Sequence, residues 1–322
     1  MRPSGRPNDP EDSRVLVAVR AAWEGAADAA GGRARARCYR PVVSGGPTAG
    51  SRGSPMPERV SVEIDGPLAH VTMTRADRLN GLDLDMMRAL VEAAGQVRAD
   101  RDVRAVVLSG AGKSFCAGLD FASVGRQPRR MMLNFLRPPW RSTNLYQEMC
   151  WVWRRLPVPV LAVIRGHCFG GGLQLALGAD FRFTTPDCQF SVMEAKWGLV
   201  PDMSGTATLR ELLPVDVAKR LAMTGETFDG NRARELGLVT EVCDDPAAAA
   251  TELAHRIAGR SPDAVAATKR LFHQAWHAAS WRAFRLESAN QLRLLLGKNH
   301  KIARRANSER SEPEFARRTF GR

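Results

Sequence analysis

Apolar and polar residues alternate with period two along Val60-Ser61-Val62-Glu63-Ile64 and again along Leu68-Ala69-His70-Val71-Thr72-Met73, on either side of Asp65-Gly66-Pro67. Such alternation puts one face of each segment on a core, and the Gly-Pro break marks a turn, so the pair predicts a β-hairpin. The period then changes. Leu84, Met87, Val91 and Ala94 fall on one helical face, with Asp83 placed to cap the first turn and Asp85 at the positive end of the helix dipole. The largely apolar stretch 103–109 reads as a strand and the unbroken apolar run 160–164 as a buried strand, separated by a helical stretch at about 143–155. A further strand is expected at 181–185, and short helices between 206 and 236, after which comes Leu238-Val239-Thr240-Glu241-Val242. Helices near 246–259, 263–278 and 280–296 follow. The recurring strand-strand-helix order makes this an α/β chain.

Strand 160–164 runs into Cys168-Phe169-Gly170-Gly171-Gly172-Leu173-Gln174, which opens a helical pattern. Glycines allow close approach, and first-turn amides have no carbonyl partner within their own helix, so this bend can present N–H groups to negative charge. A glycine turn used only for packing is the competing reading. Neither GxxxxGK[ST] nor GxGxxG is present, which argues against a phosphate loop. The strand at 103–109 ends in a similar small-residue loop, Gly110-Ala111-Gly112-Lys113-Ser114-Phe115-Cys116-Ala117-Gly118-Leu119-Asp120. Two strands of one sheet ending in such loops can supply two convergent amides, an oxyanion hole.

With these loops, and with Arg78-Leu79-Asn80-Gly81-Leu82, Arg165-Gly166, and Phe190 to Glu194 through Pro201-Asp202-Met203-Ser204-Gly205-Thr206, the chain resembles the crotonase family of enoyl-CoA hydratases and isomerases over roughly residues 56 to 300. The resemblance implies a crotonase-like spiral of strand-strand-helix repeats with a C-terminal helical oligomerisation region. It implies an acyl-CoA thioester as substrate, coenzyme A being part of it, with no further cofactor and no metal. The thioester oxygen would lie on the amides of Leu119 and Gly171. Arg78, Leu79, Ala117, Gly118 and Gly170 would line the substrate, and C-terminal helices would build a homotrimer or hexamer.

Glu194 aligns with the family's catalytic glutamate. Its apolar setting should raise its pKa by desolvation and suit it to proton transfer near neutrality. Gln174 is the departure, because hydratases of the family hold water between two glutamates and the second would stand here. A glutamine can hydrogen-bond a water but cannot take its proton. Isomerases that shift a 3-ene to a 2-ene use one carboxylate. Dienoyl-CoA isomerases carry an aspartate eight residues after that glutamate, as Asp202 stands here, although they also keep an acid at the position of Gln174. Asp202 is thus a second acid or a helix cap.

The stretch from Arg126 to Trp153 matches the family's variable acyl-pocket region. Met131, Met132, Trp140, Trp151 and Trp153 read either as a tunnel lining or as helix packing. Arg154-Arg155 reads as a solvated face.

Composition changes the picture only at the ends. The net charge of +13 sits more than half in residues 1–55, with nine arginines against five acids, and in 301–322, with seven basic residues against three acids. These are expected to be a disordered basic extension, dispensable for folding, and a flexible basic tail, flanking a spiral core at 56–258 and trimerisation helices at 259–300. No run of 18 apolar residues predicts a membrane span, and six cysteines without CxxC spacing fit reduced thiols in a cytoplasmic protein. Basic residues are not interleaved with aromatics, so nucleic acid is not the expected partner. The readings carried forward are an enoyl-CoA hydratase or isomerase, a catalytically weak acyl-CoA binding protein, and an RNA-binding crotonase.

Overall fold

The protein is described by a computed structural model covering residues 58–137 and 141–321; the expectations for residues 1–55 and for Pro138, Pro139 and Trp140 fall outside the described residues. Strands β1 (Val60–Asp65) and β2 (Leu68–Met73) form the expected hairpin, registered from Val60 opposite Met73 to Asp65 opposite Leu68. β2 is joined in parallel by β3 (Ala105–Gly110), and then come β4 (Val160–Ile164), β6 (Phe181–Thr184) and β8 (Glu241–Val242), giving a six-stranded sheet in the order β1-β2-β3-β4-β6-β8. Every residue of β4 is buried, which explains its unbroken apolar run.

A second, smaller sheet pairs β5 (His167–Phe169) with β7 (Gln189–Ser191). Cys116 bridges to Cys168 on one side, and Phe190 bridges to Phe228 on the other. Each turn of chain therefore lays one segment in the large sheet and the next in the small one: β3 then Cys116, β4 then β5, β6 then β7. This is the strand-strand-helix spiral. The three-residue strands β5 and β7 were not anticipated, because three residues are too few to show a period.

Helices close the turns. In α1 (Leu84–Ala99), Met86, Met87 and Leu90 are buried and the Asp83 carboxylate accepts from the Met86 amide at 2.7 Å, the expected cap. Short helices α2 (Phe121–Val124) and α3 (Pro128–Phe135) precede α4 (Leu145–Arg154), which starts with an Asn144/Gln147 capping box. Trp153 on α4 is fully buried in the main core, so it packs rather than lining a tunnel. Trp151 is half-buried, with the Arg154 guanidinium 5.1 Å from its ring centre. After β4 come α5 (Gly171–Leu177), α6 (Gly205–Leu212), α7 (Val215–Thr224) and α8 (Gly230–Glu235).

α9 (Pro246–Ala258) covers the other face of the large sheet, where Ala250 and Ala254 pack on Leu68, Val107, Leu161, Val163 and Phe183. α10 (Pro262–Ala275) is anchored by Lys269, whose buried ammonium donates to the carbonyls of Trp153 and Val158 and to Asp180 at 2.6 Å. Helices α11 (Ser280–Leu295) and α12 (Lys298–Glu309) pack against α10 and each other.

The expectation of a flexible tail over 301–322 is overturned for the described residues. Most of α12 lies within it, and the segment beyond is docked: the buried Asp263 carboxylate accepts from the amides of Thr319 and Phe320, the Thr319 hydroxyl and the Asn299 amide group. Phe320 is 3% exposed beneath the Arg293 guanidinium, 4.2 Å from the ring centre. The high arginine content concealed this, since Arg318 is itself buried and donates to the carbonyls of Phe320 and Asp100.

Candidate active site

The two small-residue loops meet. Phe115 donates its amide to the Arg165 carbonyl, Cys116 to that of His167, and Phe169 back to Cys116, while the Ser114 hydroxyl lies 2.8 Å from His167 Nδ1. At the tip, Leu82 donates to the Gly118 carbonyl and accepts from the Asp120 amide, so the intervening Leu119 turns its own amide to the opposite side. Gly171 is the first residue of α5. Neither the Leu119 nor the Gly171 amide has an acceptor among the described residues.

Glycine is required where the loops touch. Gly118 has φ +92°, and a side chain there would come within 2.9 Å of the Phe169 carbonyl and 3.9 Å of the Gly171 nitrogen. A side chain at Gly171 would meet Met203 Sδ at 2.7 Å and Leu82 at 2.9 Å. The arrangement is two unpartnered amides on adjoining backbones, one at a helix N-terminus where the dipole favours negative charge.

Glu194 begins a 3₁₀ turn (Glu194–Trp197) that follows β7, and it is 8% exposed. A side chain at Gly170 would sit 3.3 Å from Glu194 Oε1, which sets the carboxylate against the glycine loop. Gln174, fully buried one turn into α5, donates Nε2–H to Glu194 Oε1 at 2.6 Å. Its own oxygen accepts from the amides of Met203 and Gly205, both at 2.8 Å. These two amides set the orientation of the side-chain amide and occupy its acceptor. The other carboxylate oxygen, Glu194 Oε2, is buried without a hydrogen-bond partner among the described residues.

Burial pushes the Glu194 carboxyl up from its ordinary range; the hydrogen bond from Gln174 opposes this, and the charge of nearby Asp202 adds to it. Asp202 is likewise raised by burial. The helix-cap reading of Asp202 fails, because the N-cap of α6 is Ser204, at φ +70°, and no side chain among the described residues caps that helix. Asp202 also faces Tyr146, whose hydroxyl is pushed up to about 12 by burial and by the Asp202 charge. The Cys116 thiol, also pushed up to about 12 by burial, is inert.

Of the residues singled out from the sequence, Leu119, Gly118, Gly170, Gly171, Gln174 and Glu194 are brought together, with Asp202 near Glu194. Ala117 is joined to the neighbouring turn by its amide, which donates to the Leu79 carbonyl at 3.0 Å. Leu79 and Asn80 are held at φ +50° and +55° by the Asn80 side chain, which donates to the carbonyls of Ala111 and Ser114. Arg78 lies farther out, its side chain 68% exposed and 3.9 Å from Asp77. Sequence reasoning missed Arg75. Its buried guanidinium pairs with Asp120 at 2.8 Å and Asp83 at 3.4 Å and donates to the Gly81 carbonyl, tying that turn to the Leu119 loop. Only its place two residues beyond a buried strand hinted at this.

The family model for enoyl-CoA hydratase/isomerase matches residues 63–318. The chain belongs to the enoyl-CoA hydratase/isomerase family. The enzyme is 32% identical to the enoyl-CoA hydratase EchA19 of Mycobacterium tuberculosis over 260 residues, covering 80% of this chain and 96% of the relative. It is 31% identical to a peroxisomal Delta(3,5)-Delta(2,4)-dienoyl-CoA isomerase of Arabidopsis thaliana over 223 residues, 66% of this chain and 79% of that one. Among solved structures, a putative enoyl-CoA hydratase/isomerase from Mycobacterium abscessus superposes with a TM-score of 0.72 at 31% identity, covering 80% of this enzyme and all of that chain.

Proposed function

We propose that this enzyme migrates the double bond of an enoyl-CoA in preference to hydrating it. The observation that carries the reading is the state of Gln174. Hydration needs a second group that takes or gives a proton to water, whereas Gln174 has no transferable proton and its oxygen is committed to the Met203 and Gly205 amides. Isomerisation needs one carboxylate.

With the thioester oxygen on the amides of Leu119 and Gly171, negative charge moves onto that oxygen as a C2 proton of a 3-enoyl-CoA leaves. Glu194 Oε2, lacking a partner, takes the proton while Gln174 holds Oε1 in place. The electron pair of the C2–H bond forms the C1–C2 double bond of a dienolate while the carbonyl pair moves onto the oxygen; as the carbonyl re-forms, that pair becomes the C2–C3 double bond and the original C3–C4 π pair takes up the proton that the same carboxyl returns to C4. The raised proton affinity of Glu194 suits both halves of that exchange. Asp202 supports it as a neighbouring charge that keeps Glu194 basic and as a second acid available to a longer, dienoyl substrate.

The same reading takes Arg78, Leu79, Ala117, Gly118 and Gly170 as contacts of the CoA arm, and it needs no cofactor besides the CoA of the substrate. The exposed Phe272, Trp276, Trp281, Phe284 and Leu292 on and between α10 and α11, with Leu296 at the end of α11, support a trimer, or a multiple of three, in which this surface is covered. A cytoplasmic location fits the free thiols, and no helix among the described residues is long and apolar enough to cross a membrane. Assay of purified enzyme on matched 2-enoyl, 3-enoyl and 3,5-dienoyl esters tests the reaction; fast hydration of crotonyl-CoA with no 3-enoyl turnover rejects it. Light scattering that shows a monomer at micromolar concentration rejects the assembly.

A further inference from the structure

Phe121 and Trp197 are stacked, with ring centres 4.4 Å apart and planes 30° from parallel, yet they remain 37% and 58% exposed. Exposed aromatic pairs of this size are costly to leave in water, and their placement is specific. Phe121 lies two residues beyond the oxyanion amide of Leu119, as the first residue of α2, whose start is fixed by the Asp120 carboxylate accepting from the Ser123 amide and pairing with Arg75. Trp197 closes the 3₁₀ turn that begins with Glu194, and Gly198 after it has φ +69°. The rings therefore join the loop that holds the thioester oxygen to the turn that moves the proton. Both anchors are rigid, one through an ion pair and the other through a 3₁₀ turn ended by a left-handed residue.

One ring adjoins the Leu119 loop and the other the Glu194 turn, so an acyl group held by both would pass beside the pair. We propose that Phe121 and Trp197 form an aromatic wall of the acyl site and select substrates whose acyl group carries an aryl ring beyond C4, over straight alkyl chains of the same length. This deepens and rests on the acyl-CoA reading above. A flat ring stacks on the exposed face of the pair and keeps the offset geometry aromatic surfaces favour, while an alkyl chain covers less of it. Trp197 has the larger and more exposed ring, so it contributes more.

The test separates this proposal from the choice of reaction, because saturated esters bind without turning over. Dissociation constants of 5-phenylpentanoyl-CoA and octanoyl-CoA are measured by calorimetry on the native enzyme, Trp197→Leu, Trp197→Phe and Phe121→Leu. The native enzyme should prefer the phenyl ester by about 3- to 10-fold, the range expected of one aromatic stack. Trp197→Leu and Phe121→Leu should reduce that preference toward unity, and Trp197→Phe should restore most of it. Equal affinities in the native enzyme, or a ratio that is the same in all four proteins, overturn the proposal even if isomerase activity is confirmed. If the preference follows Trp197 while 3-enoyl esters are not isomerised, the wall stands and the isomerase reading falls.

Discussion

Gln174→Glu exchanges an amide for a carboxyl of nearly the same shape, so the packing of α5 should persist. One new oxygen inherits the bonds from the Met203 and Gly205 amides, both at 2.8 Å. The other replaces Nε2, 2.6 Å from Glu194 Oε1, where no proton would otherwise lie between them. Two full negative charges at that separation repel by about 6 kcal/mol at an effective dielectric of about 20, so the pair retains one proton near neutrality and titrates as a unit. That shared proton is what a water-adding site needs: one carboxyl to give a proton, the other to accept one. General acid–base catalysis is worth about 10²–10⁴ in rate. Hydration of crotonyl-CoA, followed by loss of the conjugated enoyl absorbance, should therefore rise at least about tenfold in Gln174→Glu, while isomerisation of a hex-3-enoyl ester stays level or falls. An unchanged hydration rate in a variant whose melting temperature and CoA-ester affinity match the native enzyme refutes the reasoning, and Asp202 then becomes the second acid.

Asp202→Asn removes a charge that raises Glu194, so the acidic limb of the kcat–pH profile should move to lower pH; Glu194 acts as base only when ionised, and activity is lost as pH falls through its raised pKa. A limb that stays in place or moves up shows that Asp202 does not act on Glu194. Asp263→Ala should destabilise the fold by roughly 3 kcal/mol, since a carboxylate that accepts four hydrogen bonds is lost, and lower the melting temperature by on the order of 5–10 °C. Although burial opposes its ionisation, those hydrogen bonds hold Asp263 below its ordinary range, so its contribution is present above the usual carboxylate pKa and fades as pH falls through the lower folded value. Calorimetric melts of native and variant proteins from neutral to acid pH should therefore converge, and parallel curves count against the tail anchor. A chain starting at Met56 should keep the fold, the assembly and CoA-ester binding, and aggregation or lost turnover in that shortened chain shows that residues 1–55 are needed.

What the sequence made legible is local or carried by motif. The hairpin of β1 and β2 and the capped helix α1 follow from periodicity and one aspartate. The glycines at 118 and 170–172 showed where backbones approach: 118 and 170 have positive φ, and a side chain at 171 or 172 would strike Met203 or Cys116. Glu194 and Gln174 were placed by register with a family, yet their meaning came from contacts. No spacing shows that the glutamine oxygen is held by amides 29 and 31 residues away. Long-range contacts account for the remaining misses. Arg75 reaches Asp120, Phe121 reaches Trp197, and the tail reaches Asp263 56 residues upstream of Thr319, each between segments far apart in the chain.

The central claim, that one carboxylate moves the proton and water is not added, is tested most directly by turnover in deuterated water. Native enzyme and Glu194→Gln are given hex-3-enoyl-CoA and crotonyl-CoA side by side, and products are read by mass spectrometry. The native enzyme should convert the 3-enoyl ester to the 2-enoyl ester faster than it forms any 3-hydroxy product, with deuterium at C4 wherever the carboxyl exchanges before returning its proton. Glu194→Gln should lose at least about 10²-fold of that rate while still binding a saturated CoA ester. A native enzyme that makes mainly 3-hydroxyacyl-CoA from crotonyl-CoA, or a Glu194→Gln variant that still isomerises, contradicts the account.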